Sequence, residues 1–458
     1  MEKGHGGLSP GGARKRALPR GGRRSVAPSF LAARAKRLSL AEIRTPREIS
    51  QHILPRLGRI CREERRMHIR RRLQPPGKSF LLLGPRGTGK STWLAESLPQ
   101  ALTIDLLDSS RFLELSSDPT ALARLVAPLR QGDWVVIDEI QRIPALLNEV
   151  HRLYEQRRGI HFALSGSSAR KLRREGANLL AGRAVQIPML SFLWPEYQDA
   201  WRIEEACEWG TLPLVVSDPD HRAATLATYV ETYLKEEITA EARVRSLDPF
   251  VRFLRIAGLY NGQVLNVENL ARESAVKRST VDRYFQILED TLLASRVPAI
   301  PLGIRTKETT HPKFFLFDTG VARAAAGLVR EQVDPVWKGF AFEALLAHEV
   351  RGRAVLADKD RPLFHYSVSG SFDIDFLVQT RPKTLSAPPQ FVAIEAKLGR
   401  RFKPSWAGGL RTLLTECGSR VTRGIIVYFG TDRLEIDGID VMPVTTFLNE
   451  LHAGGVVG

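Results

Sequence analysis

Residues 80–96 read Phe80-Leu81-Leu82-Leu83-Gly84-Pro85-Arg86-Gly87-Thr88-Gly89-Lys90-Ser91-Thr92-Trp93-Leu94-Ala95-Glu96. Four successive apolar residues fit a short strand buried on both faces, and Thr92–Glu96 has the composition of a helix. Between them stands GxxxxGK[ST] in the setting that gives it meaning, after a strand and before a helix. Glycines let backbone N–H groups curl around phosphate oxygens, and the helix N-terminus adds partial positive charge. Gly84, Pro85, Arg86, Gly87, Thr88, Gly89, Lys90, Ser91 and Thr92 are therefore expected to cradle a nucleotide's phosphates. Lys90 is expected to reach the β- and γ-phosphates and Ser91 to place its hydroxyl on Mg²⁺.

A second nucleotide motif follows at a suitable distance. Trp134-Val135-Val136-Ile137-Asp138-Glu139 is an apolar strand ending in two carboxylates. Asp138 is expected to hold Mg²⁺ through water, and Glu139 to orient the attacking water as base. The interval leaves room for a strand, Leu102–Asp105, and a helix around Pro119–Leu129, so strands and helices alternate as in a parallel sheet covered on both faces. Ile143, Leu146, Leu147, Val150, Leu153 and Tyr154 then repeat at helical spacing. Ile160–Leu164 is the next strand, ending at Ser165, which reads equally as a γ-phosphate sensor or as a turn residue capping the next helix. Arg183 precedes a last apolar strand, Val185–Leu190. It is a candidate arginine finger acting across a homo-oligomer contact, or a surface charge.

The runs GPRGTGKST (84–92), VVIDEIQRIP (135–144), ALSGSSARKL (163–172) and LLAGRA (179–184) resemble a prokaryotic AAA+-type ATPase family with a C-terminal domain of unknown function. TYLKEEITAE, NGQVLNVENLA, YFQILEDTLL, PKFFLFDTGVA and FDIDFLV…AIEAK are similar to its C-terminal part. The resemblance spans about residues 46–450. It implies an AAA+ core using ATP with Mg²⁺, and it implies no known cellular process.

Within the second half, Tyr229, Tyr233, Leu234 and Ile238 make an apolar stripe, with Lys235, Glu236, Glu237 and Glu241 among them, in a helical connector. Asn266–Glu273 and a helix capped by Ser279 suggest a helix-turn-helix, with Val281, Tyr284, Phe285 and Leu288 packed and Lys277, Arg278 and Arg283 outward. Leu292–Ile300 and Lys313–Phe317 complete a winged-helix pattern, for DNA or for protein docking. Further on, Glu343 lies on an amphipathic helix and Asp375 in an alternating strand. Glu395 and Lys397 share one strand face. This order resembles the PD-(D/E)xK arrangement of restriction-endonuclease-like folds. Glu343, Asp375 and Glu395, with Lys397, are expected to converge on a second divalent-metal site. Such folds occur as active nucleases and as inert scaffolds alike.

The whole is an α/β chain of several domains. Residues 1–45 read as a disordered basic tail, 46–200 as a P-loop AAA+ parallel-sheet ATPase domain and 201–255 as the connector. Residues 256–330 read as the winged helix and 331–458 as the restriction-endonuclease-like α/β domain. Of 458 residues, 67 are Lys or Arg against 50 Asp or Glu, a net charge of +17. Ten of those bases and one acid fall in residues 1–40, a Gly- and Pro-rich head too polar to fold alone, readable also as a transit peptide or an over-extended start. A second basic stretch, Arg56–Arg72, reads as a helix. The longest uncharged stretch is 12 residues, short of a membrane span. Three scattered cysteines, Cys61, Cys207 and Cys417, give no disulfide framework and suit the cytoplasm.

Overall fold

The computed structural model describes residues 68–156, 158–167, 182–234, 247–305 and 307–457, and these belong to one compact unit. The basic tail, most of the Arg56–Arg72 stretch, Cys61 and the connector's Lys235, Glu236, Glu237, Ile238 and Glu241 lie outside the described residues.

β1 (Phe80–Leu83) is buried at every position and pairs in parallel with a strand on each side. β2 (Leu102–Asp105), β3 (Trp134–Asp138), β4 (His161–Gly166) and β5 (Val185–Pro188) complete a five-stranded parallel sheet of order β2-β3-β4-β1-β5. The two-residue period sorts side chains to two faces. Leu81, Leu83, Val135 and Ile137 pack with the helix α2 (Leu146–Glu155), while Phe80, Leu82 and Val136 pack with Trp93 and Leu94 of α1 (Lys90–Ser97). All strands run the same way, so the phosphate-loop residues, Asp138 and Ser165 meet at one edge.

Residues 201–234 of the connector form a series of short helices, the last of them a π-helical turn, Tyr229–Leu234. Its i→i+5 repeat buries Tyr229 and Leu234 together and turns Tyr233 outward, to 40% exposure. The apolar stripe expected to include Tyr233 is thus interrupted at that residue. Three helices follow: α3 (Leu247–Leu259), α4 (Val267–Ser274) and α5 (Arg278–Asp290). The boundary expected at residue 255 falls inside α3. Asn266 caps α4 through its side chain, accepting from Asn269 N–H at 3.0 Å. Lys277, not Ser279, is the N-cap of α5, and its side chain makes no cap bond. Val281, Tyr284, Phe285 and Leu288 are buried as the spacing required. β6 (Ala294–Val297) and β7 (Lys313–Leu316) then pair antiparallel.

A long helix, α6 (Pro335–Leu356), starts with Asp334 accepting from Val336 and Trp337 N–H and with proline at its first position. It packs on a six-stranded mixed sheet of order β12-β13-β11-β10-β9-β8, in which β8 is Leu363–Ser367, β9 Asp373–Arg381, β10 Gln390–Lys397, β11 Val421–Tyr428, β12 Leu434–Ile436 and β13 Ile439–Pro443. α7 (Gly408–Cys417) covers the other face. No described helix is long and apolar enough to cross a membrane, and Cys207 and Cys417 are free thiols.

Candidate functional site

The loop after β1 owes its shape to two glycines in particular. Gly89 sits at φ 85°, left-handed backbone that favours glycine, and opens α1. Gly84 lies so close to β5 that a Cβ there would come within 2.2 Å of the Met189 carbonyl. Lys90 is buried, and its ammonium donates to the carbonyls of Gly84 (2.8 Å) and Pro85 (3.0 Å), while Thr88 Oγ1 donates to Pro85 at 2.8 Å. Around this loop lies a cavity of about 700 Å³, lined also by Glu139, Arg71, Phe192, Leu214 and Tyr229. Its size, the loop's N–H groups and the Lys90 ammonium suit the phosphates of ATP. Ser91 and Asp138 offer the oxygen donors that Mg²⁺ prefers.

Asp138 is buried at the end of β3, where the Ser165 hydroxyl donates to Oδ1. Glu139 follows in left-handed backbone, φ 59°, uncommon for a residue with a side chain. Its N–H donates to Asp138 Oδ1 (3.1 Å) and Ser165 Oγ (3.3 Å), which ties the turn to β4. Burial pushes the Glu139 carboxyl above its ordinary value, with Lys90 opposing and Asp138 adding to the shift. Gln141 Nε2 donates to Glu139 Oε2 and, at 3.1 Å, to Ser167 Oγ. Lys90, Asp138, Glu139 and Ser165 thus share one edge of the sheet. Arg183 is half-buried and its Nε lies 2.7 Å from Glu155 Oε1 of the same chain, a pair that a finger across subunits must first give up.

Several participants escaped the sequence reading. Arg71 is not in a helix: the described end of its stretch, residues 68–72, has no regular secondary structure. Its guanidinium is buried beside Glu196 (3.3 Å), donates to Leu190 O (2.7 Å) and covers the Phe192 ring. That buried pair holds the segment against the sheet domain. Tyr229 donates from its hydroxyl to Arg86 O at 2.9 Å. Gln141 lay inside the quoted DEIQ run, two residues from Glu139, and only the tertiary fold shows it reaching back.

Glu343, Asp375, Glu395 and Lys397 lie close together, with a second lysine, Lys313, among them. Lys313 Nζ of β7 donates to Glu343 Oε2 (2.8 Å) and Asp375 Oδ1 (2.9 Å). Asp375 Oδ2 accepts from Ala396 N–H (2.9 Å), Glu395 Oε2 from Asp375 N–H (3.3 Å), and Glu395 Oε1 from Lys397 (2.5 Å). Among the described residues no group of three or more His, Cys, Asp or Glu is arranged to hold a metal ion. Five of the carboxylate oxygens of Glu343, Asp375 and Glu395, the residues expected to hold a divalent metal, accept hydrogen bonds from protein donors. Burial raises the carboxyls of Glu343 and Glu395 to about 8, with Asp375 adding to each shift. Burial alone would raise Asp375 too, but Lys313 and Lys397 outweigh it and hold that carboxyl low. For Lys313 burial opposes the charge, while Asp375 and Glu343 more than restore it and hold the ammonium above its ordinary value. A lone lysine in the apolar run Lys313–Leu316 was the available sign.

Three family models match successive parts of the chain. They are an AAA domain over residues 77–198, a domain of unknown function (DUF8612) over 200–332, and a further domain of unknown function (DUF4143) over 338–447. The uncharacterized protein Rv2008c of Mycobacterium tuberculosis (strain ATCC 25618 / H37Rv) is similar, 26% identical over 383 residues and 80% of each chain. An uncharacterized protein of Haemophilus influenzae is 23% identical over 211 residues, 42% of this chain and 52% of its own. Among solved structures, the Walker-type ATPase PABY2304 of Pyrococcus abyssi has a TM-score of 0.37 at 14% identity, covering 62% of this chain and 97% of its own. The AAA match takes in β1 to β5 and the phosphate loop, and it supports ATP binding and hydrolysis.

Proposed function

We propose that the chain hydrolyses ATP at the edge shared by Lys90, Asp138, Glu139 and Ser165, and couples the cycle to DNA through residues 247–316. That shared edge, whose Lys90 and Glu139 line a cavity of about 700 Å³, carries the reading. Lys90 leaves the loop carbonyls for the β- and γ-phosphates, and Ser91, with Asp138 acting through water, would hold Mg²⁺. When bound, that ion neutralises charge developing on the phosphate oxygens. Glu139, poised by Gln141 and by a desolvated setting, takes the proton of the attacking water. Ser165 bridges Asp138 to β4 and reports on the γ-phosphate. Arg183 acts in trans on a neighbouring copy after exchanging Glu155 for phosphate.

For the DNA-directed part, helices α3–α5 followed by the β6–β7 pair support a winged helix, with Lys277, Arg278, Ser279 and Arg283 exposed at and near the start of α5. The order helix, three strands, helix, strand from α6 to β11 supports a restriction-endonuclease-like reading of the last domain.

A second reading, a nucleotide-switched module that binds a protein partner through the C-terminal half, has its own support. The segment joining β6 to β7 runs along β8. Ile300 N–H donates to His365 O (3.0 Å), His365 N–H to Pro298 O (3.0 Å) and Thr309 N–H to Ser367 O (2.9 Å). A wing spent on covering a sheet edge is withdrawn from a DNA groove. Arg278 also pairs with Glu268 at 2.7 Å, which lightens the phosphate footprint. Steady-state ATP hydrolysis with and without duplex DNA separates the two readings. Stimulation by DNA supports the first, slow turnover indifferent to DNA supports the second, and no hydrolysis under either condition overturns the catalytic assignment.

A further inference from the structure

Five of the six carboxylate oxygens of Glu343, Asp375 and Glu395 accept from a protein donor: Lys313 twice, Lys397, Ala396 N–H and Asp375 N–H. In a metal-dependent site such oxygens are turned toward the ion, at about 2.0–2.6 Å for Mg²⁺ or Ca²⁺. Here five of the six already face a protein donor. The donor that joins Glu343 to Asp375 comes from outside the sheet, on a strand of the preceding module, and its side chain is only 8% exposed.

We propose that Lys313 is a built-in replacement for the divalent cation of this pocket, so that the C-terminal domain carries a nuclease-like acid set that neither binds metal nor cuts, and the lysine instead pins β7 to the last domain. The delivery is rigid. Lys313 pairs through its backbone with Val297 on one side and Val264 on the other. Its ammonium lies 5.9 Å from the Phe376 ring centroid. Glu343 comes from α6, Asp375 from β9, and Glu395 and Lys397 from β10. One ammonium therefore ties α6 to β9 by bridging a carboxyl from each in a dry site, where like charges repel strongly. Lys397, half-buried beside Glu395, balances one acid and leaves Glu343 and Asp375 to Lys313. A mobile hydrated ion exchanges with solvent, whereas a covalently tethered cation cannot leave without moving its strand. The pocket thus works as a joint. This inference rests on the C-terminal geometry and is independent of ATP hydrolysis at the phosphate loop.

The test uses the full chain without nucleotide. Lys313→Met keeps most of the apolar stem and removes the charge. Its melting temperature is expected to fall by roughly 5–10 °C, as when one partner of a buried ion pair is removed. Mn²⁺ at millimolar concentration is expected to recover much of that loss in Lys313→Met while leaving the parent unchanged, because only the variant offers the carboxylates to an outside ion. The double variant Lys313→Met/Glu343→Gln, with one fewer acid to repel, is expected to melt above the single variant without metal. It keeps the proposal testable should the single variant not fold. Three results overturn the proposal. One is a parent protein stabilised by Mn²⁺ in a manner lost on Glu395→Gln. The second is a Lys313→Met protein that melts with the parent. The third is a double variant no more stable than the single one.

Discussion

The Tyr229 hydroxyl donates a 2.9 Å hydrogen bond to the carbonyl of Arg86, inside the phosphate-binding loop. Tyr229 opens the π-helical turn of the connector, and its ring lies 6.2 Å from that of Phe317, just beyond β7. The loop that meets the phosphates is therefore braced by a residue some 140 positions later, on an element outside the parallel sheet. A peptide carbonyl turned toward a tyrosine is a carbonyl turned away from anionic phosphate. Tyr229→Phe keeps the buried ring and removes only the hydroxyl, at a cost near 1 kcal/mol. The variant should fold as the parent does and bind ATP several-fold more weakly by calorimetric titration. Unchanged affinity would show that the brace has no part in shaping the loop.

The division of labour at the sheet edge makes a sharper prediction. Lys90→Ala should lose ATP binding, because the same ammonium that now holds the Gly84 and Pro85 carbonyls is the loop's cation. Glu139→Gln should retain binding and lose about 10²–10⁴-fold in turnover. Gln141→Leu removes a donor that helps keep the Glu139 carboxyl ionised against burial. Its turnover should survive at high pH, while the acid limb of the rate profile moves to higher pH. A limb that stays in place in Gln141→Leu would remove Gln141 from the mechanism.

What could be read from the sequence was local and periodic. Phe80–Lys90 carries strand, turn and lysine, and Trp134–Glu139 strand and acids, within a few residues, so the chemistry and its placement travel together. The helix faces of α2 and α5 were legible for the same reason: Leu146, Val150 and Leu153, or Val281, Phe285 and Leu288, recur at the helical period. What stayed hidden depends on partners far along the chain. Arg71 looked like one more base in a basic run until Glu196 and Phe192 buried it. Tyr233 followed the pattern of a packed residue, and one extra residue in a helical turn rotated it outward. Asp375, Glu395, Glu343 and Lys397 share a pattern within residues 331–458, but Lys313, which bonds Glu343 and Asp375, comes from a different module and no spacing within those residues reveals it.

DNA binding, if it occurs through α5, must rely on few charges. Lys277 and Arg283 are exposed at or near the start of the helix, and Arg278 is shared with Glu268. Each phosphate neutralised should add a slope of about −0.9 in log K against log salt on duplex DNA. Arg278→Ala with Arg283→Ala should lower that slope by no more than about 2. Deleting residues 1–40, with their ten bases, should lower it further. Binding that ignores salt, or none at low salt in fluorescence anisotropy, would leave α5 as a protein-docking helix.

The last prediction concerns acid stability. His365 of β8 is fully buried, and its Nε2 donates to the His311 carbonyl at 2.9 Å, while Nδ1 has no hydrogen-bond partner among the described residues. Burial lowers its pKa to about 4, with the nearby Lys313 ammonium lowering it further and the His311 carbonyl opposing. A histidine depressed on folding binds its proton more readily in the unfolded chain. Its stabilising contribution is therefore complete above the unfolded value, near 6.5, and is lost as pH falls toward about 4. At about 1.36 kcal/mol per pKa unit the loss is on the order of 3 kcal/mol. Glu343 and Glu395, raised on folding, work in the opposite sense: their contribution is present at low pH and declines as pH rises toward about 8. Comparison with a variant isolates the histidine. His365→Gln keeps a donor for the His311 carbonyl and cannot charge. The stability difference between parent and His365→Gln, followed by urea denaturation from pH 7 to pH 4, should shift steadily in favour of the variant as pH falls. A difference that stays constant across that window would mean that His365 takes up its proton equally in the folded and unfolded chains.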